Sequence, residues 1–320
     1  MIQKIKIINN SIIGEAGGEV ILKGVAIPDP YRIAEQDKYD VRKILDDISL
    51  IGGNVVRITI KPSLWQGIDN FLEKYIDNVV EECKKLNLYC VLDWHSIGNP
   101  IKNETRMQDI FFINKEGNKY YDYDVNLDVL KKAWLEISSR YGKEPHVLFE
   151  LFNEPAPGEK DIPSMGLSAL YWKDWKDELE ILIKIIRERS DNLIIIGPPS
   201  WAYDLSKIIE NPLNNSNILY SVHPYPIHKN WKENFDIAIN KIPIIVTEWG
   251  FQEKNLDPLL NATKENYGDK IINYMNSNNI SWIAWCYDFI WDSKMLKKKS
   301  SWNEKRLTDW GNFVVNNLRK

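Results

Sequence analysis

Short, nearly unbroken apolar runs recur along the chain, and stretches with helical spacing separate most of them. A hairpin is predicted at the N-terminus, residues 5–8 returning through 12–13, and the first buried run covers 20–27. Helical spacing over 39–51 precedes NVVRITI at 54–60, which Pro62 closes. Then follow a helix over 71–86, a strand at 88–94, a long polar loop, a helix near 126–141 and a strand at 147–152. A helix over about 168–190 leads to strands at 193–196, 218–222, 242–247 and 282–285, and a last helix spans 308–318. Strands buried on both faces read as continuous apolar runs, because helices cover the outside of a parallel sheet. Eight such runs in this rhythm predict an α/β chain folded as a (β/α)8 TIM barrel with a short N-terminal β-hairpin. A doubly wound sheet is the alternative, but no GxGxxG follows a strand and no GxxxxGK[ST] occurs.

At 320 residues the chain is long for one average domain. Barrels of about 250 residues and more nevertheless fold as one unit. No Gly/Ser/Pro-rich linker divides the sequence, so residues 1–320 are read as a single barrel domain. A composition 44% hydrophobic and 27% charged excludes disordered, collagen-like and disulfide-scaffold classes. With 41 Lys+Arg against 45 Asp+Glu there is no basic surplus, so neither nucleic acid nor an anionic membrane is an expected partner. The alternating Lys and Ile of residues 1–6 lack the apolar stretch of a signal peptide. The chain is therefore expected to be cytoplasmic, or the mature form of a secreted protein. Cys83, Cys90 and Cys286 lack CxxC spacing and are expected to be buried free thiols. Thirteen Trp and 15 Tyr suit either a core or a surface on which sugars stack, and the count alone does not choose.

In barrels of this kind chemistry sits at the C-terminal strand ends. Here those ends carry polar groups: Arg57 within the second run, Asp93-Trp94-His95 after the third, Asn153-Glu154-Pro155 after the fourth, His223-Pro224-Tyr225 after the sixth, Glu248-Trp249-Gly250 after the seventh, and Trp285 to Asp288 after the eighth. Buried charge is costly unless paired, so several such residues converging on one face point to a site. Glu154 and Glu248 are the candidate catalytic pair. Glycosidic cleavage needs one protonated carboxyl to release the leaving oxygen and one ionised carboxylate to attack or to activate water. Two of the four histidines, His95 and His223, also end strands; His146 and His228 do not, and are expected at the surface or as caps.

The segment FELFNEP at 149–155 resembles the acid/base signature of clan A retaining glycoside hydrolases. The ordered set Arg57, His95, Asn153-Glu154-Pro155, His223 with Tyr225, Glu248 and Trp285 resembles glycoside hydrolase family 5, the cellulase-like family, over nearly the whole chain. That resemblance implies a retaining endo-β-1,4-glucanase on a cellulose-type β-glucan, with β-mannan the nearest alternative substrate, and it implies no cofactor and no metal. It implies that Glu154 is the acid/base, its pKa raised in part by the charge of Glu248, and that Glu248 is the nucleophile. Arg57 would lie beneath Glu248, Asn153 would bond a sugar 2-hydroxyl, Tyr225 would donate to Glu248, His223 would lie near Glu154, and His95 would line the same subsite. Trp285 would be a stacking platform, with Trp65 and Trp201 as further subsite walls. Trp134, Trp172 and Trp175, on helices, are assigned to the outer core. The third strand departs from the pattern: many relatives have a His pair where Trp94 precedes His95. The chain is expected to act as a monomer. A non-catalytic carbohydrate-binding barrel would have lost one glutamate, an aldolase would carry a strand-end Lys, and a serine hydrolase would show GxSxG; none of these holds here.

Overall fold

A computed structural model describes residues 2–105, 126–161, 167–229, 231–297 and 306–320. The aromatic residues of the polar loop at 99–124 (Phe111, Phe112, Tyr120, Tyr121 and Tyr123) lie outside the described residues. At the N-terminus β1 (Ile5–Ile8) and β2 (Ser11–Gly14) pair antiparallel as the expected hairpin. Along the chain follow β3 (Lys23–Ile27), β4 (Val55–Ile60), β5 (Tyr89–Trp94), the short β6 (Ile97–Asn99) and β7 (Glu104–Thr105), β8 (Val147–Glu150), the two-residue β9 (Glu154–Pro155), β10 (Ile194–Ile196), β11 (Ile218–Val222), β12 (Ile244–Val246) and β13 (Ser281–Ala284). Strands β3, β4, β5, β8, β10, β11, β12 and β13 close in that order into an all-parallel barrel, one for each predicted run.

The apolar runs conceal an alternation that the barrel sorts. Val56, Ile58 and Ile60 of β4, with Cys90, Leu92 and Trp94 of β5, face outward into the core shared with the helices. Val55, Val91, Leu148, Ile195, Leu219, Ile245 and Ile283 pack against one another inside the barrel. Side chains alternate faces along a strand, so the next inward positions are Arg57 and Thr59, Asp93 and His95, Glu150, Ser221 and His223, and Thr247. The interior is thus apolar toward the N-terminal ends and ionic toward the C-terminal ends. Ile5 and Ile12 of the hairpin join the inner apolar cluster, and the Tyr89 hydroxyl donates to the Gln3 carbonyl. The hairpin therefore plugs the foot of the barrel.

Around the barrel lie the helices Val41–Leu50, Asp77–Lys85, Leu127–Tyr141, Trp172–Arg187, Asp269–Ser277 and Asp309–Leu318. Asp40, Asn126 and Thr308 cap three of them by accepting from Arg42, Val129 and Gly311 amides, as short oxygen-bearing side chains do at helix starts. The helix predicted over 71–86 is broken into a wide turn, Leu72–Ile76, and a regular helix from Asp77. Trp134, Trp172 and Trp175 are buried. Trp134 Nε1 donates to the Leu151 carbonyl at 3.0 Å and Trp175 Nε1 to the Gly197 carbonyl at 3.2 Å. These outer-core indoles anchor the backbone just past β8 and β10. All three cysteines are buried and free. Among the described residues no helix is long and apolar enough to cross a membrane.

The predicted strand at 147–152 stops at Glu150, because the chain is then taken up by a second sheet. β9 pairs with β6, which pairs with β7, and Ile97 stands opposite Glu154. The Glu154 amide donates to the Ser96 carbonyl and the Ala156 amide to the Gly98 carbonyl, both at 3.0 Å. Gly98 has φ +122, and a Cβ there would stand 2.3 Å from the Glu104 carbonyl oxygen. Only glycine lets β6 and β7 approach this closely.

Trp134→Ala is expected to cost about 3–5 kcal/mol, removing a buried indole and its hydrogen bond. Leu135→Ala, at a 42% exposed position of the same helix, should change stability by less than about 0.5 kcal/mol. Urea unfolding of the two variants distinguishes them.

Candidate active site

Arg57 points inward from β4 and is fully buried. Its Nε lies 2.6 Å from Glu150 Oε2, its Nη1 2.6 Å from Glu248 Oε1, and its Nη2 2.7 Å from Asn153 Oδ1 and 3.0 Å from Asp93 Oδ2. One guanidinium thus faces three carboxylates and an amide. Burial pushes the Asp93 carboxyl up to about 7 against the opposing charge of Arg57, and burial raises Glu150 as well. Both carboxyls therefore hold a proton to higher pH than exposed ones would.

Glu248 accepts from Arg57 at one oxygen and from the Tyr225 hydroxyl, 2.9 Å away, at the other. Both its oxygens are acceptors, the arrangement of a carboxylate. Glu154, on β9, has Oε1 3.0 Å from His223 Nδ1 and is pushed up to about 7. Burial is the main cause; the charge of Arg57 opposes it and that of Glu150 adds to it. The expectation that the charge of Glu248 supplies part of the shift is corrected here: removal from water comes first, and the neighbouring negative charge that adds to it is Glu150. His223 is pushed down to about 4, chiefly by burial, so its ring is neutral at neutral pH. Single donor atoms of Glu154, His223 and Glu248 lie within 4.8 Å of one another. These three groups are the donors a metal ion would find among the described residues. A cation there would sit beside the Arg57 guanidinium, which already occupies Glu248, and that charge opposes it. The two glutamates are chemically differentiated across a narrow gap, one hydrogen-bonded as an anion and one poised to carry a proton.

His95 Nδ1 is 2.7 Å from Asp93 Oδ2, and its ring lies parallel to that of Trp285, tilted by 8° with centroids 5.4 Å apart. Trp285 is held by its Nε1, which donates to the Asp292 carbonyl at 3.1 Å, and by its own carbonyl, which accepts from Trp310 Nε1 at 2.8 Å. Beside this pair a small cleft is lined by Asp29, Arg32, Thr59, Lys61 and Trp291, with the Lys61 ammonium 5.4 Å from the Trp291 ring centre.

Trp65 does not join the site. The turn Pro62–Gly67 carries it outward, where it packs edge-on against Trp94 and donates to Glu136 at 2.9 Å. Trp94 itself is a core residue, which accounts for the missing first histidine at this place. Trp201 is partly exposed on the segment Pro199–Ala202, which packs against β9. His146, expected at the surface or as a cap, is fully buried, 3.0 Å from the Val80 carbonyl through Nε2, and the partly exposed His228 stacks on Tyr203 with ring centres 3.7 Å apart. Glu150 and Thr247 line the site without having been selected by sequence reasoning, and Asp93, noted there at its strand end, was given no role. A lone polar side chain at an inward position of an apolar strand was the available signal.

The family description "Cellulase (glycosyl hydrolase family 5)" matches residues 14–289. The chain is 27% identical to an endoglucanase of Clostridium saccharobutylicum, over 98% of this chain and 65% of that protein. It is 30% identical to cellulase CelDZ1 of a Thermoanaerobacterium species, over 67% of this chain and 51% of that protein. The chain thus spans between half and two thirds of these relatives. The structure superposes on β-glucanase SdGluc5_26A of Saccharophagus degradans with a TM-score of 0.85 and 26% identity, covering 100% of this chain and 94% of that one. The same β-glucanase has been solved in complex with cellotetraose.

The folded protein binds the Glu154 proton more tightly than the unfolded chain does. The stability this contributes is fully present below the ordinary glutamate value of 4.5 and is lost as pH rises through about 7. Glu154→Gln cannot ionise, so its Tm should fall less than that of the parent between about pH 5 and pH 8 in scanning calorimetry. Asp93 adds a slope of the same sign to both proteins.

Proposed function

The chain belongs to glycosyl hydrolase family 5, and from that premise we propose that it is a retaining endo-β-1,4-glucanase acting on cellulose-type glucan. The observation that carries the reading is the pair Glu154 and Glu248, with donor atoms within 4.8 Å, one raised to about 7 and the other hydrogen-bonded on both oxygens. Carboxyls about 5–5.5 Å apart suit retention, whereas inversion needs roughly 6.5–9.5 Å to seat a water between them.

In this reading Glu248 attacks the anomeric carbon while Glu154 gives its proton to the leaving oxygen, and the glycosidic bond breaks to leave a glycosyl ester on Glu248. Glu154, now a carboxylate, takes a proton from water, whose oxygen attacks the same carbon and releases Glu248. Arg57 fixes one oxygen of the nucleophile and Tyr225 the other. Asn153 has its carbonyl oxygen turned to Arg57, which leaves its NH2 free to donate to the sugar 2-hydroxyl as positive charge develops on the ring. Trp285 offers its indole to the apolar face of a donor-side sugar, and His95, held by Asp93, borders the same place.

Glucan is preferred to mannan because the curated relatives named above are an endoglucanase and a cellulase, and because the similar β-glucanase was solved with cellotetraose. A formal charge of −4 suits an uncharged polysaccharide. All the site residues come from one chain, so a monomer suffices. The reading requires neither cofactor nor metal.

Reducing-sugar release should be found on carboxymethylcellulose, barley glucan and lichenan and be weak on mannan; hydrolysis of mannan alone would overturn the substrate assignment. Glu154→Ala and Glu248→Ala should each lose at least ~10²-fold in turnover on polysaccharide. With an activated aryl β-cellobioside and added azide, Glu248→Ala should give the α-glycosyl azide and Glu154→Ala the β-glycosyl azide, identified by NMR. Full activity in either variant would sink the assignment. Since Glu154 must start protonated, kcat/KM should fall above a pH of about 7.

A further inference from the structure

Behind His223 stand two hydroxyls that the reaction as described does not use. Ser221 lies on β11, pointing into the barrel, and Thr247 occupies the equivalent face just past β12; both are fully buried. Ser221 Oγ is 2.5 Å from Thr247 Oγ1, Thr247 Oγ1 is 2.9 Å from His223 Nε2, and His223 Nδ1 is 3.0 Å from Glu154 Oε1. Four groups form one unbranched chain that ends on the carboxyl facing the cleft.

The hydrogen count gives this chain a direction. A hydroxyl carries one hydrogen and a neutral imidazole one N–H. Among the described residues the Ser221 hydroxyl has one partner, Thr247, so its hydrogen is satisfied only by donation to Thr247 Oγ1. Thr247 must then give its own hydrogen to its other partner, His223 Nε2. Nε2 is therefore the acceptor, and the ring hydrogen is on Nδ1, where it donates to Glu154. Run the opposite way, the chain would leave the Ser221 hydrogen buried with no acceptor, an arrangement folded proteins avoid.

We propose that Ser221 and Thr247 are positioning residues that hold His223 as its Nδ1–H tautomer, and thereby keep the acid proton of Glu154 on Oε2, the oxygen not facing His223. This inference rests on the reading of Glu154 as the acid/base. With Oε1 occupied as an acceptor, the proton is carried by the other oxygen, free to meet the glycosidic oxygen. After the proton has left, the same N–H holds the carboxylate in place for the second step, so no hydrogen bond in the chain has to reverse. The charged and titratable groups facing His223 are Glu248, whose Oε2 is 3.8 Å from Nδ1, together with Arg57, Glu150 and His95; the Tyr225 ring stands edge-on. Burial keeps the ring neutral, and only a neutral ring has a tautomer to choose.

The direct test is NMR of protein labelled with 15N-histidine, in which four imidazoles report and His223→Asn assigns the relevant one. At pH 6, where Glu154 carries its proton, both tautomers are open to His223 in the absence of the hydroxyl chain. The expected spectrum shows a protonated Nδ1 and a bare Nε2; a protonated Nε2 would overturn the proposal whether or not Glu154 is catalytic. In Thr247→Val the Nε2–H form should gain population, kcat should fall roughly 10-fold with KM unchanged, and the basic limb of the pH profile should move up, because the Glu154 anion loses part of its donor. Thr247→Ser should restore all three. A basic limb that does not move in Thr247→Val refutes the link to Glu154. If that variant does not fold, Ser221→Ala gives the same readouts: it leaves Thr247 without its donor, and the same shift, smaller, is expected; no shift refutes the link.

Discussion

The site depends on a cation that has no access to water. Arg57 is buried at the centre of the barrel mouth, and each of its guanidinium nitrogens is bonded: to Glu150, to Glu248, and to Asn153 and Asp93 together. A buried charge is tolerated only when its neighbours complete its hydrogen bonds, and here they also outnumber it. One positive charge cannot support three carboxylates plus Glu154 as anions in a dry cavity. Removal from water first, and the neighbouring negative charge second, push Asp93 and Glu154 up to about 7. The planar fork of arginine sets the directions of Glu248 and Asn153 at once, so the orientation of the carboxylate and that of the amide beside it are a single constraint.

The barrel supplies what Arg57 needs. Inward positions carry apolar side chains at the foot and ionic ones at the top, so the charged cluster rests on a dry floor of Val55, Val91, Leu148, Leu219 and Ile245. The walls are braced from outside, where Trp134 and Trp175 bind backbone carbonyls at the ends of two strands. Glu154 lies beyond the barrel strands, on β9, and is held by pairing with β6 above the neighbouring strands β8 and β5. The two glutamates therefore rest on different supports: one on the guanidinium within, the other on a small sheet at the rim and on the His223 chain. That separation gives two identical side chains different surroundings.

Much of this was legible in the order of residues. Eight apolar runs predicted eight strands because a strand buried on both sides has no polar face to show, and FELFNEP together with the later Glu248 marked the carboxylate pair. Other parts were hidden for stated reasons. Asp93 and Glu150 each interrupt an apolar run by one residue, and a single acid in a strand reads equally as a distant ion pair until the register puts it beside Arg57. Trp65 and Trp285 both follow strand ends, yet a turn after Pro62 sends one outward to Glu136 while the other stays at the mouth beside His95. The helix tryptophans were easier, since helical spacing already told which face they share.

Sequence by itself determined the fold class and the family resemblance and singled out Glu154 and Glu248 as the candidate pair, because periodicity and motif order are properties of the chain. Tertiary structure alone decided why Glu154 holds its proton more tightly than an exposed carboxyl. That outcome depends on burial and on distances between strands far apart in sequence: Glu154 is raised by removal from water and by Glu150, not by the partner that sequence reasoning had named. Hydrogen-bond direction behind His223 belongs to the same class of fact. It follows from which buried hydroxyl has only one neighbour, and no spacing along a chain can show that.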